Sequence, residues 1–344
     1  MSAVIQCLAS LQGPRLSAVE LCAGAGGQAI GLERAGFAHE ALVDVDADCC
    51  STLRLNRPEW RVIQADLNTF SGAEFYGVDL LAAGLPCPPF SIAGRQLGEA
   101  DERDLFPAAL RIIDEVRPRG IMVENVKGLL GQAFRGHRER TSTALRQMGY
   151  EPLWRLLNAS DYGVPQLRPR LVLVALRCTD LAAFSWPRPM RGPRRTVGEA
   201  LLDLMAANGW ERADEWARCA GDVAPTLVGG SRKHGGPDLG PTRARQAWAQ
   251  LCVDGLGVAD EAPPPGFRGV PRLTLRMAAR VQGFPDEWRF AGGKTAAYRQ
   301  IGNAFPPPVG HAVADRVRAA LLGLKRVPEA TAEVQLPLWD GVLA

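Results

Sequence analysis

Between residue 18 and about residue 177 the chain alternates short apolar runs with helix-like stretches. The runs are AVELCAG (18–24), EALVDVD (40–46), VDLLAAG (78–84), RGIMVEN (119–125) and RLVLVALR (170–177). Strands alternating with helical segments predict an α/β fold, a mostly parallel, doubly wound, Rossmann-like sheet with helices on both faces. Several runs end in Gly, Asp, Asn or Cys, at what would be the carboxyl edge of the sheet, where open α/β folds bind their ligands.

The texture changes after Ala183. SWPRPMRGPRRT (185–196) leads into a stretch rich in Gly, Pro, Arg and Trp that runs to residue 272, with regular periodicity only over 197–207. This reads as a linker followed by a smaller, loop-rich lobe. Helical pattern returns with RMAARVQGF (276–284), and Val309, Val313, Val317, Ala320 and Leu321 form a helical stripe over about 309–324. The expected organisation is a catalytic domain at 1–187, a second domain at 188–290 whose variable region spans about 188–271, a returning segment at 291–325 and a tail at 326–344.

A chain of 344 residues has room for two cores. No apolar run approaches the roughly 20 residues of a membrane span, and residues 1–16 lack the basic start of a signal peptide. A soluble, cytoplasmic protein is expected. The eight cysteines show no C-x-x-C spacing of the zinc-site kind, so reduced thiols and no metal are expected. Net charge is only +3, but residues 188–299 hold 17 Lys/Arg against 12 Asp/Glu, which makes this half the expected polyanion surface.

Four segments carry candidate chemistry. ELCAGAGGQAIGLERAGF (20–37) is a strand breaking into a Gly-rich turn that opens a helix, where backbone can approach a ligand closely. Asp44 lies about 20 residues downstream, the spacing that suits ribose hydroxyls, and Asp66 in QADL could take an adenine amino group. No phosphate-binding lysine accompanies them, which suits adenosylmethionine better than ATP. GLPCPPFS (84–91) holds Cys87 between prolines, a rigid presentation for a nucleophile. IMVENVKG (121–128) places Glu124 at the end of a buried run, where desolvation raises a carboxyl pKa toward useful acid catalysis. In QLRPRLVLVALR (166–177), Arg168 and Arg170 alternate at a strand entry, so one face can direct both guanidinium groups into a cleft.

These segments in this order, continued by RLTLRMAARVQGFPDEWRF (272–290) and QIGNAFPPPVG (300–310), resemble the cytosine-C5 DNA methyltransferase family, of the bacterial restriction-modification type. The resemblance covers about residues 17–320. It implies a large S-adenosylmethionine-binding domain, completed by the C-terminal helix folding back, and a small target-recognition domain, with double-stranded DNA between them. It implies that Cys87 attacks C6 of a flipped cytosine, Glu124 engages N3, and Arg170, helped by Arg168, steadies O2. Cofactor contacts carry over to Ala23, Gly24, Gly26, Gly27, Asp44, Asp66, Leu67 and Asn303, while Asn125 supports the Cys87 loop. Four positions depart from the family pattern: Cys22, Val45, Pro88 and Met277 stand where Phe, an aromatic or branched residue, Gln and Glu are usual.

Within the variable lobe, VAPTLVGGSRKHGGPDLGP (223–241) resembles the family's recognition loop, with Thr226 and Leu227 as its Thr-Leu pair. Gly229 and Gly230 would allow close approach to DNA, and Arg232 and Lys233 would reach bases or phosphates at a short site containing CG. The tail VQLPLWD (334–340) resembles peptides that dock on sliding clamps through Gln335, Leu336, Leu338 and Trp339, or else it packs on its own domain. A monomer is expected, with a cognate restriction endonuclease as functional partner. Competing readings are a tRNA cytosine-C5 methyltransferase and a non-catalytic DNA-binding paralogue.

Overall fold

The computed structural model describes residues 15–86, 104–230 and 236–324. Cys87, Pro88, Arg232, Lys233 and the tail residues Gln335, Leu336, Leu338 and Trp339 lie outside the described residues.

Seven strands form one sheet: β1 (Leu16–Leu21), β2 (Phe37–Asp44), β3 (Val62–Gln64), β4 (Leu80–Gly84), β5 (Gly120–Val126), β6 (Tyr150–Asn158) and β7 (Pro169–Arg177), in the order β3-β2-β1-β4-β5-β7-β6. β7 runs antiparallel to both its neighbours, and the other pairings are parallel. The near-continuous apolar runs reflect burial on both faces, as parallel sheets require.

Alternation along each strand sorts the two faces. Val19, Leu21, Leu81, Ala83, Ile121, Val123, Leu171 and Leu173 pack on one side with Ile112, Val116 and Leu145, from α3 (Phe106–Val116) and α4 (Arg135–Gln147). Ala18, Leu80, Ala82, Met122, Val172 and Val174 pack on the other with Val309, Val313, Val317 and Leu321, the stripe of α11 (Pro307–Leu321). That helix lies against α1 (Gly27–Arg34) so closely that a Cβ on Gly31 would stand 2.5 Å from the His311 nitrogen. The C-terminal helix thus covers one face of the sheet.

The second lobe is more helical than its sequence texture predicts. It contains α6 (Val197–Met205), α7 (Ala213–Cys219), α8 (Thr242–Ala249) and α9 (Leu275–Val281), after the short α5 (Cys178–Leu181). α7 and α8 are seven or eight residues long and each buries a tryptophan, Trp216 or Trp248, too little length for a period to show. Their core is continuous with Ala25, Ile30, Leu42 and, from α2 (Ala47–Asn56), Leu53 beside the Gly-rich turn, joined through Trp288 and Ile301. The expectation of reduced thiols fails at one pair: Cys219 and Cys252 form a disulfide across 33 residues, tying α7 to the chain after α8. Nothing local announces it, because the two cysteines meet only through the tertiary fold. Among the described residues no helix is long and apolar enough to cross a membrane, and no cluster of metal-ligating side chains occurs.

Candidate active site

The sheet order makes the chain leave β1 and β4 in opposite directions, which opens a crevice above their carboxyl ends. Around it stand the turn after β1, Asp44 at the tip of β2, Gly84 at the tip of β4, Glu124 near the tip of β5 and Arg170 at the start of β7.

The turn 22–26 is built from left-handed backbone, with φ of 52° at Cys22, 55° at Gly24 and 87° at Gly26. Asp44 holds it, accepting from the Gly24 amide at 2.7 Å and from the Asp46 amide at 2.8 Å. A Cβ on Gly26 would meet Leu53 and Trp288 at 2.8 and 2.9 Å, and one on Gly27 would strike the Phe305 carbonyl at 2.2 Å. Above Gly24, by contrast, a Cβ would meet nothing within 4 Å. Ala23 is buried, and Val45 stands 65% exposed beside the turn. Beneath it lies Glu20, 1% exposed with Oε2 lacking any partner, its carboxyl pushed well above the usual range by burial and by Asp44.

An open glycine floor, with Val45 exposed beside it and Asp44 at its edge, fits a nucleoside. Asp66 is exposed and folds its own turn, accepting from the Asn68 amide at 2.9 Å. Leu67 is 3% exposed, with its side chain in the core and its carbonyl engaged by Arg111 at 2.8 Å.

The structure brings Glu124 and Arg170 together. The guanidinium Nε is 2.7 Å from Glu124 Oε1, with both side chains about one-tenth exposed. Burial pushes the Glu124 carboxyl up, against the pull of Arg170 and Arg168. Glu124 pairs in register with Gly84, and Asn125 donates to the Leu85 carbonyl at 3.4 Å, gripping the chain two residues before Cys87.

Arg168 does not join this pair. It is 1% exposed and donates to the carbonyls of Leu227 (2.8 Å), Gly302 (2.7 Å) and Ala304 (3.1 Å). The expected direct role at the base gives way to a positioning one, because these acceptors arrive from 59 to 136 residues away and surround the guanidinium. Gln166 and Gln282 complete the knot: Gln166 accepts from the Leu227 amide at 2.8 Å and donates to Gln282 at 2.8 Å, and Gln282 donates to the Ala304 carbonyl.

The knot joins the recognition loop to the returning chain. Thr226 donates to the Leu167 carbonyl at 2.6 Å, and Leu227 is 1% exposed, so its side chain is core rather than a DNA-facing group. Gly229 and Gly302, in α10 (Lys294–Asn303), cross backbone on backbone: a Cβ on Gly302 would stand 2.5 Å from the Gly229 Cα and nitrogen. Asn303 donates to the Gly230 carbonyl at 3.2 Å, on the strap that continues to Phe305 over Gly27. Met277 replaces a capping glutamate with its sulfur, 3.4 Å from the Thr274 amide.

Sequence reasoning missed Glu20, Gln166, Gln282 and Gly302. A charged residue inside AVELC was a visible signal for Glu20; the partners of the other three are too distant in sequence to show.

A sequence model described as C-5 cytosine-specific DNA methylase matches residues 16–221 and 249–319. The chain belongs to this family. As a DNA methylase acting on carbon 5 of cytosine, it is an enzyme whose family takes its methyl group from S-adenosylmethionine. Membership favours the DNA reading over an RNA methyltransferase or a non-catalytic paralogue.

The methylase is 57% identical over 312 residues to the Type II methyltransferase M.NaeI of Lentzea aerocolonigenes, covering 89% of this chain and 75% of that protein. It is 49% identical over 310 residues to M.NgoMIV of Neisseria gonorrhoeae, covering 89% and 98%. Among solved structures, a putative DNA modification methyltransferase from an E. coli prophage superposes with a TM-score of 0.65 at 22% identity, covering 89% of this chain and 99% of that one. At that identity the likeness concerns the fold.

Proposed function

We propose that this methylase modifies a cytosine flipped out of duplex DNA at a short specific site, with Cys87 as nucleophile and Glu124 and Arg170 holding the base. The observation that carries the reading is the buried Glu124–Arg170 pair at 2.7 Å, beside the β4 tip from which the chain runs to Cys87. C5 of cytosine is a poor nucleophile, so addition of the Cys87 thiolate at C6 must first make the ring enamine-like. Base flipping is required because C6 is unreachable in a stacked helix. Burial pushes the Glu124 carboxyl above its ordinary value, which suits it to give a proton to N3 as the sulfur–C6 bond forms, and Arg170 steadies O2. S-adenosylmethionine, when bound, supplies the methyl group to C5. Removal of the C5 proton then expels Cys87, N3 returns its proton to Glu124, and the ring regains aromaticity.

Ala23, Gly24, Gly26 and Gly27 would line the cofactor, with Asp44 toward the ribose, Asp66 and Leu67 toward the adenine, and Asn303 closing the strap. The region of about 188–271 holds the target-reading residues, with Gly230 allowing close approach and Arg232 and Lys233 at bases or phosphates, while Gly229 is taken up by its crossing with Gly302. The Type II names of the relatives support protection against a cognate restriction endonuclease, and our reading adds a monomer acting in the bacterial cytoplasm. Tail residues Gln335, Leu336, Leu338 and Trp339 support sliding-clamp docking, which calorimetry with a peptide of residues 330–344 tests.

The test of the enzyme reading is expression in a methylation-free bacterial host and mapping of modified cytosines at single-base resolution. Full modification of one short motif by the wild type, and none by Cys87→Ser or Glu124→Gln, is the expected result. Modification that survives Cys87→Ser would end the mechanism.

A further inference from the structure

The linker between sheet and lobe has a property that the enzyme reading leaves unused. Arg188, Arg191, Arg194 and Arg195 fall within eight residues, and no Asp or Glu occurs from Leu181 to Gly198. All eight positions of 188–195 are exposed. Among the described residues, Arg194 pairs with Asp161 at 2.8 Å, while Arg191 and Arg195 make no salt bridge.

The segment is fixed in place. Tyr162 donates to the Pro187 carbonyl at 3.1 Å, the Met190 amide donates to the Asp161 carbonyl at 2.8 Å, and the Val197 amide donates to the Asp222 carbonyl at 2.9 Å. Prolines 187, 189 and 193 restrict the chain between these anchors. The arginines are thus displayed on an ordered ribbon, so binding would cost little backbone entropy.

Its position follows from the sheet. Asp161 lies in the turn immediately after β6, and β6 ends at the same edge as β5, since Arg170 pairs with Val126 on one side and Leu157 on the other. β6 is two strands from β5, a lateral step of about 10 Å. Duplex grooves are roughly 6–12 Å across. A duplex that presents one base at Glu124 therefore carries phosphates at the distance of this ribbon.

We propose that Arg191 and Arg195, on the ribbon 188–195 that opens the target-reading region, contact the DNA phosphate backbone and supply affinity without sequence information. The inference rests on the enzyme reading above. Each phosphate neutralised steepens the dependence of log affinity on log salt by about 0.9, so the two arginines together account for about 1.8.

The test measures binding of the full-length protein to a short duplex lacking the modified motif, between about 50 and 200 mM salt. Arg191→Gln/Arg195→Gln should flatten the slope by about 1.8, while the motif modified and the rate at saturating DNA stay as in the wild type. Arg191→Lys/Arg195→Lys should keep the slope. Arg146→Gln, at the opposite edge where β6 begins, should not change it. An unchanged slope in the glutamine variant, with wild-type modification intact, overturns the ribbon alone. A wild type that neither binds duplex nor modifies cytosine overturns the ribbon and the enzyme reading together.

Discussion

Substituting Gly302→Ala tests whether the crossing of α10 and the recognition loop is as tight as it looks. The new Cβ would stand 2.5 Å from both the Cα and the nitrogen of Gly229 and 3.0 Å from the carbonyl carbon of Val228. Ordinary contact begins near 3.4 Å, so the two backbones must part by about 0.9 Å, and no flexible side chain can yield instead. That movement would stretch the 2.7 Å bond from Arg168 to the Gly302 carbonyl beyond hydrogen-bonding reach. A lost bond to a charged donor costs about 1.5–3 kcal/mol, and overpacking costs about 1–3 kcal/mol. Against these stands the helical preference of Ala over Gly, about 1 kcal/mol. The net expectation is a loss of about 1.5–5 kcal/mol, read from urea midpoints, with a raised KM for duplex DNA. Gly236→Ala is the control: its Cβ meets nothing within 4 Å, so stability should hold or rise by about 0.4–1 kcal/mol. A Gly302→Ala protein as stable as the wild type would refute the close crossing.

Three further outcomes are expected. His39, whose ring nitrogen bonds the Ala29 carbonyl at 3.0 Å, is lowered from 6.5 to about 4, chiefly by burial. The unfolded chain therefore binds the extra proton first, and about 3 kcal/mol of stability present above pH 6.5 is lost as pH falls toward 4. Thermal melts of His39→Gln across that window should fall less steeply than those of the wild type. Closing a loop of 33 residues contributes up to about 4 kcal/mol in the chain-entropy account. Reductant should thus lower the wild-type melting temperature to that of Cys219→Ser and leave the variant unmoved. Arg168→Lys keeps the charge but not the planar fork that meets three carbonyls. Loss of about 1.5–3 kcal/mol in denaturant titration is expected, and an unchanged midpoint would return Arg168 to the base-binding role.

The parts of this protein legible in the sequence are those governed by short-range pattern. Runs such as VDLLAAG and RGIMVEN announce strands because both faces of a parallel strand are buried, and their polar ends mark the catalytic edge. Glu124 and Arg170 were each legible as strand-end residues, but their direct pairing depends on β5 lying beside β7 in the sheet. Arg168 was harder. Its spacing from Arg170 suggested one shared cleft, but a guanidinium reaches far enough to be captured by whatever carbonyls the fold delivers. Here they come from Leu227, Gly302 and Ala304. The same holds for Leu227, whose match to the Thr-Leu pair of the family's recognition loop places it at the DNA, yet which is 1% exposed. In the lobe, Trp216 and Trp248 build a core from helices of only seven or eight residues, too short for periodicity to separate from loop.

The intimate packing of α11 on α1 sets a timetable for biosynthesis. Gly31 must wait for His311, so 311 − 31 = 280 residues separate the two surfaces. At roughly 5–20 residues per second, the ribosome needs about 14–56 s between them. During that interval Ala18, Leu80, Ala82, Met122 and Val174 lack the helix that will cover them. A nascent chain of this kind is a natural client for chaperones, and one truncated by even a single late stop codon would emerge with half its sheet undressed.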